Sequence, residues 1–140
     1  MLFRSVLIDP RVAEDGVTVA DLQEQFEHNM RVRQLVTDVN QIAARVRDAQ
    51  TKLRNASITS GDNATLLSAI AARLFTEPVR YSKPGLQAHI TYLASMTANV
   101  DQKVGRDAIE RYAVLRKEVD GIRAEVDRAL GSTPTASGSR

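Results

Sequence analysis

Apolar residues recur along most of this chain at intervals of three and four, the spacing of one face of an α-helix. The clearest run is Val32, Leu35, Val39, Ile42, Val46, Ala49 and Leu53, with steps of 3, 4, 3, 4, 3 and 4. This is a heptad seam over three repeats. Before it, Leu22, Phe26 and Met30 follow one another at steps of four and extend the expected buried stripe toward the N-terminus. Neither Gly nor Pro interrupts residues 19–56. The prediction is one helix roughly 55 Å long, at ~1.5 Å per residue. Thr18 is its N-cap and Asp21 completes a capping-box arrangement. Asp21, Glu24 and Glu27 lie early and Arg45, Arg47, Lys52 and Arg54 late, in keeping with the helix dipole.

Three further helices are predicted. Ser57 to Asp62 reads as a turn, after which Asp62 or Asn63 caps a short helix to about Glu77, with Leu66, Leu67, Ile70, Leu74 and Phe75 on its apolar face. Pro78 ends it. A helix from about Pro84 to Val100 follows, with Leu86, Ile90, Leu93, Met96 and Val100 as its stripe. Asp101 to Gly105 is a loop. The last helix covers about Arg106 to Leu130 and repeats the seam pattern through Ile109, Tyr112, Leu115, Val119, Ile122, Val126 and Leu130. Gly121 lies off that seam, and Gly131 stops the helix.

The ends of the chain break the pattern. Residues 2–8 read as one short strand that Asp9-Pro10 terminates, and 9–17 as an acidic loop. Everything after it is helical, so such a strand finds no pairing partner within the chain. It reads as the remnant of a preceding β-domain, or as an arm that adds to a partner's sheet edge. Residues 131–140 are low in complexity and are expected to be disordered. The expected organisation is therefore an N-terminal strand and loop over 1–17, a helical bundle over 18–130 and a tail over 131–140. The fold class is all-α: an up-down bundle of about four helices, one long, two short and one long, with a short N-terminal β-strand. Connections of five to seven residues favour antiparallel neighbours. The first helix is covered along its length only if the two short helices align end to end. Otherwise part of its seam is left for self-association, and a homo-oligomer is one of the expected outcomes.

Composition narrows the function. The 140 residues contain no Cys and two His, which excludes disulfide scaffolds, thiol catalysis and Cys-based zinc sites. Three Phe, three Tyr and no Trp weigh against a base- or sugar-stacking surface. A net charge of +2 gives no strong pull on nucleic acid. No segment reaches the ~18 apolar residues of a membrane span, and the first residues lack the form of a secretory signal, so no membrane insertion is expected. The distribution of charge is more informative. From Asp9 to Glu27 there are six acidic residues and one basic; from Arg31 to Arg54 there are six basic and two acidic.

No candidate catalytic, cofactor-binding or metal-ligating residue emerges. His28 and His89 have no carboxylate at a ligand offset. Glu14-Asp15, Glu118 with Asp120, and Glu125 with Asp127 are carboxylate pairs on polar helix faces. Arg116 with Asp120 reads as an ordinary surface pair. Gly61 and Gly85 stand alone, outside any phosphate-binding pattern. Arg31 and Arg33, like Arg45 and Arg47, point to nearly opposite sides of the helix, and Asp38 and Asp48 dilute them. The stretch is a solvated face rather than a phosphate-binding one.

The order of segments is also informative. Leu7-Ile8-Asp9-Pro10-Arg11-Val12 leads to Asp21-Leu22-Gln23-Glu24-Gln25-Phe26 and then to Arg33-Gln34-Leu35-Val36-Thr37-Asp38-Val39-Asn40. Later come Ile90-Thr91-Tyr92-Leu93 and Ile109-Glu110-Arg111-Tyr112-Ala113-Val114-Leu115. Over roughly residues 5–130 this resembles the C-terminal helical module of large bacterial sortilin-like proteins with BNR-repeat β-propellers, often labelled glycosyl hydrolases or sialidase-like. The resemblance implies that residues 2–8 are the last strand of a preceding β-domain, and it implies export. The chain has no Asp-box and no Trp, so no catalytic residue of that family carries over. The expected function is a non-enzymatic packing or interaction module without cofactor. Its protein partner, or the parent β-domain, is met through the N-terminal strand. The alternative is a stand-alone cytoplasmic helical adaptor or coiled-coil partner.

Overall fold

The computed structural model describes residues 7–131. It contains five helices: α1 (Pro10–Glu14), α2 (Val19–Asn55), α3 (Asp62–Leu74), α4 (Leu86–Ala98) and α5 (Arg106–Leu130). No strand occurs among the described residues, so the class is all-α, with five helices rather than four. Leu7 and Ile8 have no regular structure, and the rest of the expected strand over 2–8 lies outside the described residues. The tail beyond Gly131 lies outside them as well.

The extra helix is α1, in a segment expected to be a loop. The Asp9 carboxylate accepts the Arg11 backbone N–H at 2.9 Å, and Pro10 sits in the first turn, where its missing N–H costs nothing. The Asp-Pro pair that ends a strand is equally a signal that starts a helix. No residue of α1 is buried, and it packs against none of the other helices.

Helix α2 runs uninterrupted for 37 residues. Its N-terminus has the expected capping box: Asp21 donates its N–H to Thr18 Oγ1 at 3.1 Å, and Thr18 donates its N–H to Asp21 Oδ2 at 2.9 Å. Its C-terminus turns through Ser57 in the left-handed region, φ 58°. There Ile58 N–H reaches the Leu53 carbonyl at 2.9 Å and Ser57 N–H the Arg54 carbonyl at 3.0 Å, the Schellman pattern without its usual glycine.

The packing has three columns. Helix α2 is the first, α5 runs parallel to it as the third, and α3 and α4 lie end to end between them, antiparallel to both. Contacts along α2 fix this order. Gln25, near its start, meets the end of α4; Asn40, midway, meets Gln87 at the start of α4; Phe75, just past α3, lies under the Arg47 guanidinium. Along α5, Tyr112 faces His28, Arg116 faces Asp38 and Asp127 faces Arg45. End-to-end alignment is the condition under which two short helices cover one long one. The core follows the seams: Val32, Leu35, Val39, Ile42 and Val46 from α2, Ile70 and Leu74 from α3, Leu86, Ile90 and Leu93 from α4, and Leu115, Val119, Ile122 and Val126 from α5.

The join between α3 and α4 is tight. Helix α3 ends at Leu74, not near Glu77, because Phe75 is already extended (φ −101°, ψ 148°). Helix α4 begins at Leu86, with Gly85 as N-cap, and ends at Ala98. Gly85 presses against the end of α3, where a Cβ would lie 2.5 Å from the Phe75 carbonyl carbon. Its N–H is held by Thr76 Oγ1 at 2.9 Å.

One expected stripe is overturned. Leu22 is half-buried, but Phe26 is 65% exposed and Met30 48% exposed. The buried residues at that level are Gln25 and His28. Stepping back from Val32 by four and then three reaches His28 and Gln25, so the heptad continues unbroken through two polar side chains. Smaller corrections have the same origin. Ile109 is partly exposed while Ala108 is buried, and Val100 lies past the end of α4, exposed.

Candidate functional site

At the end of the bundle where α2 starts and α4 finishes, the seam becomes polar. Gln25 is buried and uses both ends of its amide. Its Nε2 donates to the Thr97 carbonyl and to the Val100 carbonyl, each at 2.8 Å, and its Oε1 accepts the Gln102 N–H at 3.1 Å. The Thr97 carbonyl is one that the last turn of α4 leaves without an intrahelical donor, and that of Val100 belongs to the connection just beyond. Asn29 adds a bond to the Thr97 carbonyl at 3.1 Å and accepts the Thr97 hydroxyl at 2.6 Å. Gln102 Nε2 donates to the Met96 carbonyl at 2.9 Å. Polar side chains of α2 thus cap α4 and hold the connection to α5.

His28 lies beside this belt, only 1% exposed, with its ring edge-on to Tyr112 at 6.1 Å between centroids. Its Nε2 is buried without a hydrogen-bond partner among the described residues. Burial, and next the Arg31 charge, push its pKa below the ordinary imidazole value; Glu24 opposes them. His89 is far from it, on α4, where Nδ1 lies 3.2 Å from Arg111 Nη2. The two histidines do not converge. Among the described residues there is no group of three or more His, Cys, Asp or Glu that could hold a metal ion. No described helix is long and apolar enough to cross a membrane.

The carboxylate pairs separate instead of converging. Glu125 bonds Arg73 of α3, whereas Asp127 bonds Arg45 of α2. Asp120 pairs with Arg116, as expected, but Arg116 also reaches the buried Asp38, which Arg123 meets at 3.2 Å and Gln34 at 3.0 Å. Burial alone would raise the Asp38 pKa; the hydrogen bonds from Arg116 and Gln34 and the Arg123 charge outweigh it and hold the carboxyl below its ordinary range. Hydrogen bonding to Asp120, and then to Asp38, raises the Arg116 pKa. The basic residues of α2 are dispersed likewise: Arg45 pairs with Asp127, Lys52 pairs with Asp48, and Arg47 stacks 4.3 Å over the Phe75 ring.

Two surface grooves flank α4. One of about 660 Å³ includes Arg47, Phe75, Thr76, Gln87, Thr91 and Tyr92. The other, about 490 Å³, runs beside His89 and Arg111, with Asp107, Glu110 and Glu118 on its α5 wall. Neither brings together a nucleophile, a base and a group to orient it.

The outer side of the polar belt is the most distinctive surface. Val19, Leu22, Phe26 and Met30 occupy one face of the first three turns of α2. At ~100° per residue this face is centred roughly 130° from the seam. Phe26 and Leu22 also border a groove of about 260 Å³ completed by Ala98, Asn99, Val100 and Asp101. A neighbouring apolar groove continues along Val32, Val36, Ala94 and Ala98. Sequence reasoning found Leu22, Phe26 and Met30 but assigned them to the core. The signal it passed over was the heptad itself, which already occupies the other face.

No protein-family model matches this chain, and neither a curated protein nor a solved structure matches it.

Proposed function

We propose that this chain is a non-enzymatic helical interaction module whose working surface is the outward face of the first three turns of α2. The observation that carries this reading is an apolar stripe on the first three turns of α2 that the bundle leaves open. Val19 and Phe26 are each 65% exposed, and Val100 beside them 67%. A helix that faces only water on one side has no use for apolar residues there, whereas a helix that meets a partner does.

Met30 provides the test. It lies in this stripe, and the half-buried Met96 of α4 is an internal control. Methionine oxidation is compared between the dilute purified chain and the intact cells that make it. The expected result is that Met30 is protected in cells relative to Met96. Equal relative rates in the two settings overturn the reading.

A second reading takes the partner to be a preceding β-domain of the same polypeptide, as the resemblance to the sortilin-like C-terminal module implies. It is favoured by α1, which follows Leu7-Ile8-Asp9 and packs on no other helix. In-frame Asp-box repeats upstream of the Met1 codon support it, and non-coding DNA there removes it.

A further inference from the structure

Heptad spacing carries one edge of the open stripe further along α2. Val19, Phe26, Arg33, Asn40 and Arg47 follow one another at steps of seven, so they stand in one row at a constant angle to the seam. Contacts place that row on the α4 side. Asn40 accepts a hydrogen bond from Gln87 Nε2 at 2.7 Å, and the Arg47 guanidinium covers the Phe75 ring. The row borders three grooves in succession. Phe26 lines the one beside Val100, Arg33 the apolar one along Val36, Ala94 and Ala98, and Arg47 the largest, with Thr91 and Tyr92 on its other wall.

The two walls of this trough differ in charge. Helix α4 has no Asp, Glu, Lys or Arg among its 13 residues. The α2 wall carries Arg33 and Arg47, both exposed and neither in an ion pair among the described residues. Arg45 and Lys52, on the α5 side of the same helix, are paired with Asp127 and Asp48. Of the described residues that line the trough only Asp101, at the Phe26 end, is acidic. The trough is therefore apolar in its middle and positive along one edge. From Arg33 to Arg47 that edge is roughly 21 Å long at ~1.5 Å per residue.

We infer that this trough holds an amphipathic helix of a partner protein, laid along α2 and α4, whose acidic residues pair with Arg33 and Arg47. The inference rests on the interaction-module reading and names the chemistry of its partner. A helix packed beside α2 in heptad register sets residues two heptads apart against Arg33 and Arg47, so its two carboxylates stand two heptads apart as well. Between them its large apolar side chains lie over Val36, Ala94 and Ala98, whose short side chains leave them room. Phe26 and Val100 extend the apolar contact at one end. A basic helix in the same place meets two unpaired guanidinium groups and is disfavoured.

Fluorescence anisotropy on the full chain tests this with two designed peptides of three heptads. Both have Leu at the a and d positions and Ala or Gln elsewhere. At two positions on one edge of the Leu stripe, two heptads apart, one peptide has Glu and the other Lys. The Glu peptide binds saturably and the Lys peptide roughly tenfold more weakly. Arg33→Glu with Arg47→Glu reverses that order and keeps the helicity seen by circular dichroism, because both side chains are exposed. Arg31→Glu with Lys52→Glu changes the net charge equally but on the α5 side, and leaves the order as it was. Ala98→Arg fills the trough and abolishes binding of both peptides. Equal binding of the two peptides, binding of neither, or a reversal by the α5-side pair as complete as that by the trough pair overturns the inference. So does self-association of the wild type in sedimentation equilibrium that Ala98→Arg abolishes, since the occupant is then a second copy. If the inference falls while Met30 is still protected in cells, the interaction module stands with a partner of other chemistry.

Discussion

His28 shows how one side chain sets a pH dependence for the whole chain. Above about pH 6.5 the imidazole is neutral whether the chain is folded or unfolded. As the pH falls below that value, the unfolded chain takes up the proton more readily than the buried ring beside Tyr112. Stability therefore drops until the folded imidazole is protonated too. Asp38 and Asp120 act in a lower window. Both carboxyls are held below their ordinary value of 3.8, so their contribution is present above it and is lost as the pH falls further. Thermal melts should show two separate losses, one setting in as the pH falls below about 6.5 and another below about pH 4. His28→Leu should abolish the first and leave the second. A wild type equally stable at pH 7.5 and pH 5 contradicts this account. The Asp120–Arg116 pair was legible in the sequence, but the surroundings of Asp38 and His28 were not. Asp38 read as a dilution of a basic stretch because Arg116 and Arg123 reach it from another helix, and His28 was left out of the seam because only apolar positions were counted into it.

Among the helices, legibility followed length. Helices α2 and α5 were predicted nearly to the residue because seams of many turns average out local noise, and because Thr18, Asp21 and Gly131 cap them as their residue types suggest. Helix α1 was missed since five residues offer no periodicity. The ends of α3 and α4 were misplaced because the chain there obeys a tertiary constraint, the close approach of Gly85 to Phe75. Two glycines should respond to the same substitution with opposite sign. Gly121 is on an exposed helical face where an added Cβ meets nothing within 4 Å, so Gly121→Ala should stabilise by about 1 kcal/mol. At Gly85 the added methyl meets backbone, and Gly85→Ala should destabilise by about 1–3 kcal/mol. Urea denaturation of the two variants decides both; a Gly85→Ala chain as stable as wild type shows that the join is looser than described.

At the scale of the molecule, three columns share one core, so a single charge placed in it should act globally. Leu35 and Ile122 are both buried, from α2 and α5. Leu35→Asp or Ile122→Asp introduces an unpaired buried charge and should unfold the bundle; unchanged melting temperature and helicity in either variant rule out this core. By contrast, Phe26→Ser should leave the unfolding free energy of the monomer within about 0.5 kcal/mol of wild type, as surface substitutions do. The sequence pattern implied the bundle and left the end-to-end arrangement of its short helices as one of two outcomes, but it could not show which face of α2 was the inner one at residues 19–30. Two faces competed there, and the polar seam residues concealed the winner. The divided middle column has a further consequence. Residues 76–81, between its halves, are exposed, while each half is held separately by α2 and α5. Scission of the backbone there would leave two fragments, one carrying α2 and α3, the other α4 and α5, each with an unsatisfied apolar seam that the other fits. The fold is thus already written as two complementary pieces that happen to share one polypeptide.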